Sequence, residues 1–199
     1  MNLVEPDWIT RALNHDEEAF THLVEAYQTP VYNLCYRMLG DSGEAEDAAQ
    51  ESFWRAYQSI KRFDPQRSFI TWLLSIAAHY CIDQIRKRRL STLSLDVLPE
   101  GDIADNHLPT PESSYAHREE QARMRQLLQN LNPEDRAAII MSYWYDLSDQ
   151  EIGDALKLSV SAVKSRLFRA RRELARMWQT AQPAPAVIPQ RRHHDSPAF

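Results

Sequence analysis

The sequence predicts an all-α protein: two small helical domains joined by a flexible acidic linker, the second domain containing a helix-turn-helix. Three observations carry this. Apolar residues recur at three- and four-residue steps over long runs, the period of one helix face. Glycine is scarce, at 4 of 199 residues, and runs of β-branched residues are few, which disfavours a sheet protein. Seven of the 11 prolines gather where no periodicity exists, three in residues 91–117 and four in 179–199.

Residues 16–39 predict a long first helix, with Phe20, Leu23, Val24, Tyr27, Val31, Leu34, Cys35 and Met38 forming one apolar stripe. Pro30 lies inside it and predicts a kink or a break. Gly40, Asp41, Ser42 and Gly43 make a turn in which Asp41 or Ser42 can cap the next helix. That helix, 44–60, buries Ala45, Ala48, Ala49, Phe53, Ala56 and Ile60. Residues 63–68 read as a loop, and 69–89 as a third helix packed through Leu73, Ile76, Ala77, Tyr80 and Ile85. Together these make a first domain over residues 1–90. Residues 91–117 hold 5 acids, no Lys or Arg and no sustained period, the composition of a flexible connector. The second domain spans 118–178, with helices near 118–130, 133–145, 148–156 and 159–178. The proline-rich tail, 179–199, is expected to be disordered.

Within the second domain, SDQEIGDALKLSVSAVKSRLFRARREL (148–174) reads as two helices joined by a tight turn. Ser148 and Glu151 fit a capping box, and Ile152, Ala155 and Leu156 give the first helix an apolar side. Ser159 can cap the second, whose buried stripe is Val163, Leu167, Ala170 and Leu174. Its remaining surface carries Lys164, Arg166, Arg169, Arg171 and Arg172. Such a helix fits the major groove of B-DNA, where its cations meet phosphates and guanine edges; a solvated helix with ordinary surface arginines is the alternative.

A net charge of −5 argues against a nucleic-acid binder, but its distribution does not. Residues 1–60 hold 11 acids against 3 bases, 61–90 hold 7 bases against 2 acids, 118–156 hold 8 acids against 4 bases, and 157–178 hold 7 bases against 1 acid. Two basic blocks are separated by acidic material, and fields at a surface are local because salt screens beyond about 8–10 Å. The first block, 61–89, sets Phe63, Phe69, Trp72 and Tyr80 beside Lys61, Arg62, Arg67 and the run Arg86, Lys87, Arg88, Arg89. Phe53, Trp54 and Tyr57 lie just before it. Aromatics interleaved with cations suit single-stranded nucleic acid, although most of these rings are expected to be core. Asp47, Gln50, Glu51 and Trp54 lie on adjacent turns, either as a protein-contact face with a Trp anchor or as a solvated face.

Other chemistry is unsupported. No nucleophile elbow, phosphate-binding glycine loop or zinc-protease signature occurs. His79, Tyr80 and Cys81 lack a partnering pair at zinc spacing, and Glu18 with His22 falls short of a di-iron set. No catalytic residue, metal or cofactor is expected. Cys35 and Cys81 suit core packing in a reducing compartment. The start, MNLVEPDWIT, lacks the features of a signal peptide, and no run approaches a membrane span.

These features, in this order, resemble the bacterial RNA polymerase sigma factors of the extracytoplasmic-function (ECF) type, over nearly all of residues 15–178. GDSGEAEDAAQESFWRAY resembles the segment that docks on the clamp helices of the polymerase β′ subunit. FDPQRSFITWLLSIAAHYCIDQIRKRR resembles the −10 element and melting segment, and LNPEDRAAIIMSYWYDLSDQEIGDALKLSVSAVKSRLFRARREL the −35-binding domain. The resemblance implies a cytoplasmic bacterial subunit that binds core RNA polymerase and promoter DNA, is held by an anti-sigma factor and does not enter a membrane. It implies polymerase contacts by Asp47, Gln50, Glu51 and Trp54. It implies −10 DNA contacts by Lys61, Arg62, Arg67, Ser68, Trp72, His79, Arg86 and Arg89. It implies −35 contacts by Ser161, Ala162, Lys164, Ser165, Phe168 and Arg169. The connector 91–117 would thread toward the RNA exit path.

Two positions depart from the family pattern: His79 stands where Asn is usual, and Lys157 where the turn usually has Gly. A stand-alone helix-turn-helix regulator of duplex DNA is the alternative function. It would need neither the face at 46–54 nor the basic-aromatic helix at 63–89.

Overall fold

The structure, a computed structural model, describes residues 6–94 and 114–180, and every regular element among them is helical. Two capped helices frame the first domain. Asp16 accepts from the Ala19 N–H at 3.0 Å and opens α2 (Glu17–Leu39). Asp41 accepts from the Glu44 N–H at 2.8 Å and opens α3 (Ser42–Ser59). Each satisfies an N–H that the first helical turn leaves free. A single 3₁₀ turn (Ile60–Arg62) leads through the loop to α4 (Phe69–Ser94). The expected stripe of α2 is buried except for half-buried Val24, and Ala45, Ala48, Ala49, Phe53, Ala56 and Ile60 are buried beneath α3.

Three expectations change. An additional helix, which we label α1 (Pro6–Leu13), precedes α2 and packs on it through Trp8, Ile9, Ala12 and Leu13; the eight-residue length hid its period. α2 runs through Pro30 without a break, and the Tyr145 hydroxyl of the second domain donates to the Pro30 carbonyl at 2.6 Å. The connector is shorter than 91–117, because α4 extends to Ser94 and α5 begins at Ser114. The remaining expectations for the connector, and for the tail beyond Thr180, lie outside the described residues. The aromatics divide as expected: Phe53, Phe63 and Phe69 are core, while Trp54 is 56% exposed.

The second domain comprises α5 (Ser114–Gln129), α6 (Pro133–Trp144), α7 (Asp149–Leu156) and α8 (Val160–Thr180). It lies against the first, and the buried apolar residues of both form one continuous core. Polar groups fix the junction. The last carbonyls of α2 have no partner within their own helix. Tyr36 O accepts from the N–H of Gly40, whose φ of 86° provides the left-handed stop. Arg37 O accepts from Gln129 Nε2 at 3.2 Å, and Met38 O accepts from Arg136 Nη1. Arg136 is buried and also donates to Gln129 Oε1 at 2.5 Å, Gln129 O at 2.6 Å and Leu131 O at 3.3 Å. Burial pulls its pKa down to about 10. Cys35 and Cys81 are buried and unbonded covalently, and their mutual contact together with burial pushes the Cys81 thiol up.

Candidate functional site

The helix-turn-helix is built as its sequence dictates. Ser148 accepts from the Glu151 N–H at 3.3 Å while Glu151 accepts from the Ser148 N–H at 2.8 Å, completing the capping box. The Ser148 hydroxyl, at 2.7 Å, and the Ser148 N–H both donate to the Glu151 carboxylate and hold it below its ordinary range. At the far end of α7, Lys157 adopts φ 57° and its N–H closes on Gly153 O. Gly153 is required here: a Cβ would approach the Leu158 carbonyl to 2.8 Å. Ser159 then accepts from the Ala162 N–H at 3.3 Å and starts α8.

Val163, Leu167 and Ala170 are buried, so the opposite side of α8 faces out. Ser161, Lys164, Ser165, Phe168 and Arg169 are all exposed on that side, Phe168 at 65%, and Ala162 is half-buried beside them. The surface arginines are not equivalent, which sequence alone did not reveal. Arg166 is only 23% exposed and binds Asp135 Oδ1 at 2.7 Å. Arg169 reaches the same carboxylate, Nε to Oδ2 at 3.3 Å. Asp135, absent from the sequence-derived set, therefore aims two cations of α8. Its position at the start of α6, three residues past the Asn132 cap, was the available signal.

In the first domain, Asp47, Gln50 and Trp54 are exposed and Glu51 is half-buried, paired with Arg55 at 2.7 Å. Arg55 in turn lies over the Tyr80 ring at 4.8 Å. Gln50 and Trp54 line a groove of about 1090 Å³ between α2 and α3, whose floor includes Phe20, Val24 and Tyr57 and whose rim includes Glu46. Of this set, only Gln50 and Trp54 line the groove; Glu51 turns to Arg55 instead.

The −10 set is spread along the loop and α4. Lys61, Arg62, Arg67 and Ser68 are exposed, and Trp72 is half-buried against Phe63 and Phe69. His79 is half-buried, its Nδ1 donating to the Ser75 carbonyl at 2.7 Å within its own helix. At the C-terminal end of α4, Arg86 pairs with Glu134 of α6, and Arg88 with Glu44. Lys87 and Arg89 are exposed with no ion-pair partner among the described residues. The four cations do point all round the helix, and two meet protein carboxylates.

Among the described residues no three of His, Cys, Asp and Glu gather as a metal site requires. No described helix is long and apolar enough to cross a membrane.

The comparisons agree with this geometry. Residues 23–90 match the family model for sigma-70 region 2, and residues 121–174 that for sigma-70 region 4. The ECF RNA polymerase sigma factor SigW of Bacillus subtilis (strain 168) is 39% identical over 168 residues, covering 80% of this chain and 88% of its own. RNA polymerase sigma-H factor of Pseudomonas aeruginosa is 31% identical over 177 residues, covering 86% and 92%. The fold is that of CnrH in its complex with the cytosolic domain of CnrY, with a TM-score of 0.67 at 24% identity over 89% of this chain and 99% of that one. The sigma factor RpoE of Bartonella quintana, solved with the anti-sigma factor NepR, gives a TM-score of 0.66 at 18% identity, covering 82% and 98%. A stand-alone regulator leaves the region 2 match unexplained. The chain belongs to the ECF family of RNA polymerase sigma factors, and is a promoter-specificity subunit rather than an enzyme.

Proposed function

We propose that residues 1–90 bind the β′ clamp helices of core RNA polymerase and the −10 element, and that 118–178 bind the −35 element. The observation that carries the polymerase assignment is the groove between α2 and α3. It is apolar along its floor and acidic at its rim, and exposed Trp54 stands at its edge. An amphipathic helical partner with basic flanks fits such a surface, and a large exposed Trp is a favoured anchor. Gln50 lines this groove beside Trp54, and Asp47 and Glu51 adjoin it on α3.

Loop residues 64–68 and Trp72 take an unpaired −10 base, with Lys61, Arg62, Arg86 and Arg89 on the nearby phosphates. His79, tied to its own helix through the Ser75 carbonyl, offers its remaining ring edge. On α8, Ser161, Ala162, Lys164, Ser165, Phe168 and Arg169 enter the major groove of the −35 element, with Arg169 held in its fork geometry by Asp135. The protein acts in the bacterial cytoplasm. Because the CnrH and RpoE structures hold their sigma factors with CnrY and the anti-sigma factor NepR, an anti-sigma factor is also proposed as a partner here.

The test is co-purification with core polymerase. Gln50→Ala combined with Glu51→Ala should abolish it while far-ultraviolet circular dichroism stays unchanged. Retained binding by the folded variant would sink the clamp assignment.

A further inference from the structure

One line of contacts joins the groove between α2 and α3 to the end of α8, where residues 181–199 begin. At one end of the groove Phe20 and Tyr57 pack edge to face at 5.0 Å, and Trp54 stacks on Tyr57 at 6.3 Å. At the other lies Tyr32, stacked on Tyr36 at 5.9 Å. The Arg125 guanidinium of α5 covers the Tyr36 ring at 4.9 Å. Two residues earlier on α5, Arg123 covers the Trp178 ring at 4.4 Å and donates to the Trp178 carbonyl at 3.4 Å. Trp178 stands in the last turn of α8. Glu17 and Glu46 are exposed along the groove and have no ion-pair partner among the described residues.

We propose that residues 181–199 of the same chain occupy this groove, with 183–189 along its aromatic floor and Arg191 and Arg192 drawn to its carboxylates. Residues 183–189 read PAPAVIP, and Arg191 and Arg192 follow them, with Asp195 the one acid of the segment. Its prolines favour polyproline II, which is ordered at little entropic cost, and aromatic-lined grooves take such segments. The lengths match. Seven residues of polyproline II cover about 20 Å, and α2 advances about 18 Å between Phe20 and Tyr32. The reach suffices as well, since nineteen extended residues span about 60 Å. The charges are opposite, because residues 1–60 hold 11 acids against 3 bases. Tethering sets an effective concentration on the order of millimolar, so a contact too weak to hold a second copy is filled within one chain. Core polymerase would then have to displace the segment. That competition rests on the clamp reading above; the docking does not.

The experiment uses the full chain carrying a photocrosslinker, Ile188→p-benzoylphenylalanine, irradiated at low micromolar concentration without polymerase. Adducts are sized by denaturing electrophoresis and located by peptide mass spectrometry. The expected product has monomer mass and joins position 188 to residues 17–33 or 46–57, the helix stretches that line the groove. Arg191→Glu with Arg192→Glu lies beyond α8 and should cut its yield about fivefold at low salt, with the difference closing at high salt. Glu17→Gln with Glu46→Gln should lower it in the same sense without touching the segment. No adduct, adducts elsewhere on the chain, or adducts of dimer mass alone would overturn the docking. A groove adduct indifferent to both charge variants would overturn the role given to Arg191 and Arg192. Core polymerase in excess should suppress the groove adduct. An adduct that persists on polymerase-bound protein upholds the docking and places the fault in the clamp reading.

Discussion

Arg136 is the residue on which the junction depends, and replacing it by Met isolates its guanidinium from its stem. The charged group is buried and donates to four acceptors: Met38 O, Gln129 Oε1, Gln129 O and Leu131 O. Met fills the same channel but leaves all four without that donor. At about 1 kcal/mol for each lost partner the substitution costs about 4 kcal/mol. Against this runs the relief of no longer burying a charge, whose expense is visible in the pKa brought down to about 10. The acceptors are neutral carbonyls held in place by α2, α5 and the turn before α6, so the losses outweigh the relief. We expect a net loss of about 2–4 kcal/mol, read as a lower urea midpoint at unchanged m-value. Arg136→Lys keeps the charge but cannot fork across four acceptors, and should fall between. A Met variant within about 0.5 kcal/mol of the parent would refute the view that these bonds tie the helix ends together.

Two further outcomes follow from the recognition domain. Lys157 sits at φ 57° with an exposed side chain; Lys157→Gly removes the left-handed penalty and should stabilise the chain by about 0.5–1 kcal/mol. A drop in melting temperature would contradict this. Asp135→Asn removes the carboxylate that aims Arg166 and Arg169, so discrimination between a −35 duplex and a scrambled one should fall about fivefold. Competition binding reads this directly, and unchanged discrimination would remove Asp135 from the site.

How much of this was legible in the chain depends on the range of each interaction. The capping box at Ser148 and Glu151, the Asp41 cap and the α8 stripe of Val163, Leu167 and Ala170 are local, fixed by residues three or four apart, and the structure reproduces them, with Leu174 of that stripe half-buried. Pro30 predicted a kink or a break because its missing N–H is a local fact; the break does not occur, since α2 is one helix from Glu17 to Leu39. Asp135 escaped notice because its meaning lies in arginines 31 and 34 residues later. Arg136 looked like an unremarkable base in an acidic stretch, since its partner at Met38 is 98 residues away. The charge run at 86–89 was recognisable as a surface feature, but its division into paired Arg86 and Arg88 and, among the described residues, unpaired Lys87 and Arg89 needed the second domain and α3 in place.

The central claim is that two surfaces of one chain direct core polymerase to a promoter. In vitro transcription with core RNA polymerase on a library of randomised upstream sequences, with and without this protein, tests it most directly. The account predicts protein-dependent transcripts whose templates share two separated elements, near −35 and −10, with Arg169→Ala weakening selection at the upstream one alone. Transcription unaffected by the protein, or enrichment of a single duplex site without polymerase, would contradict it.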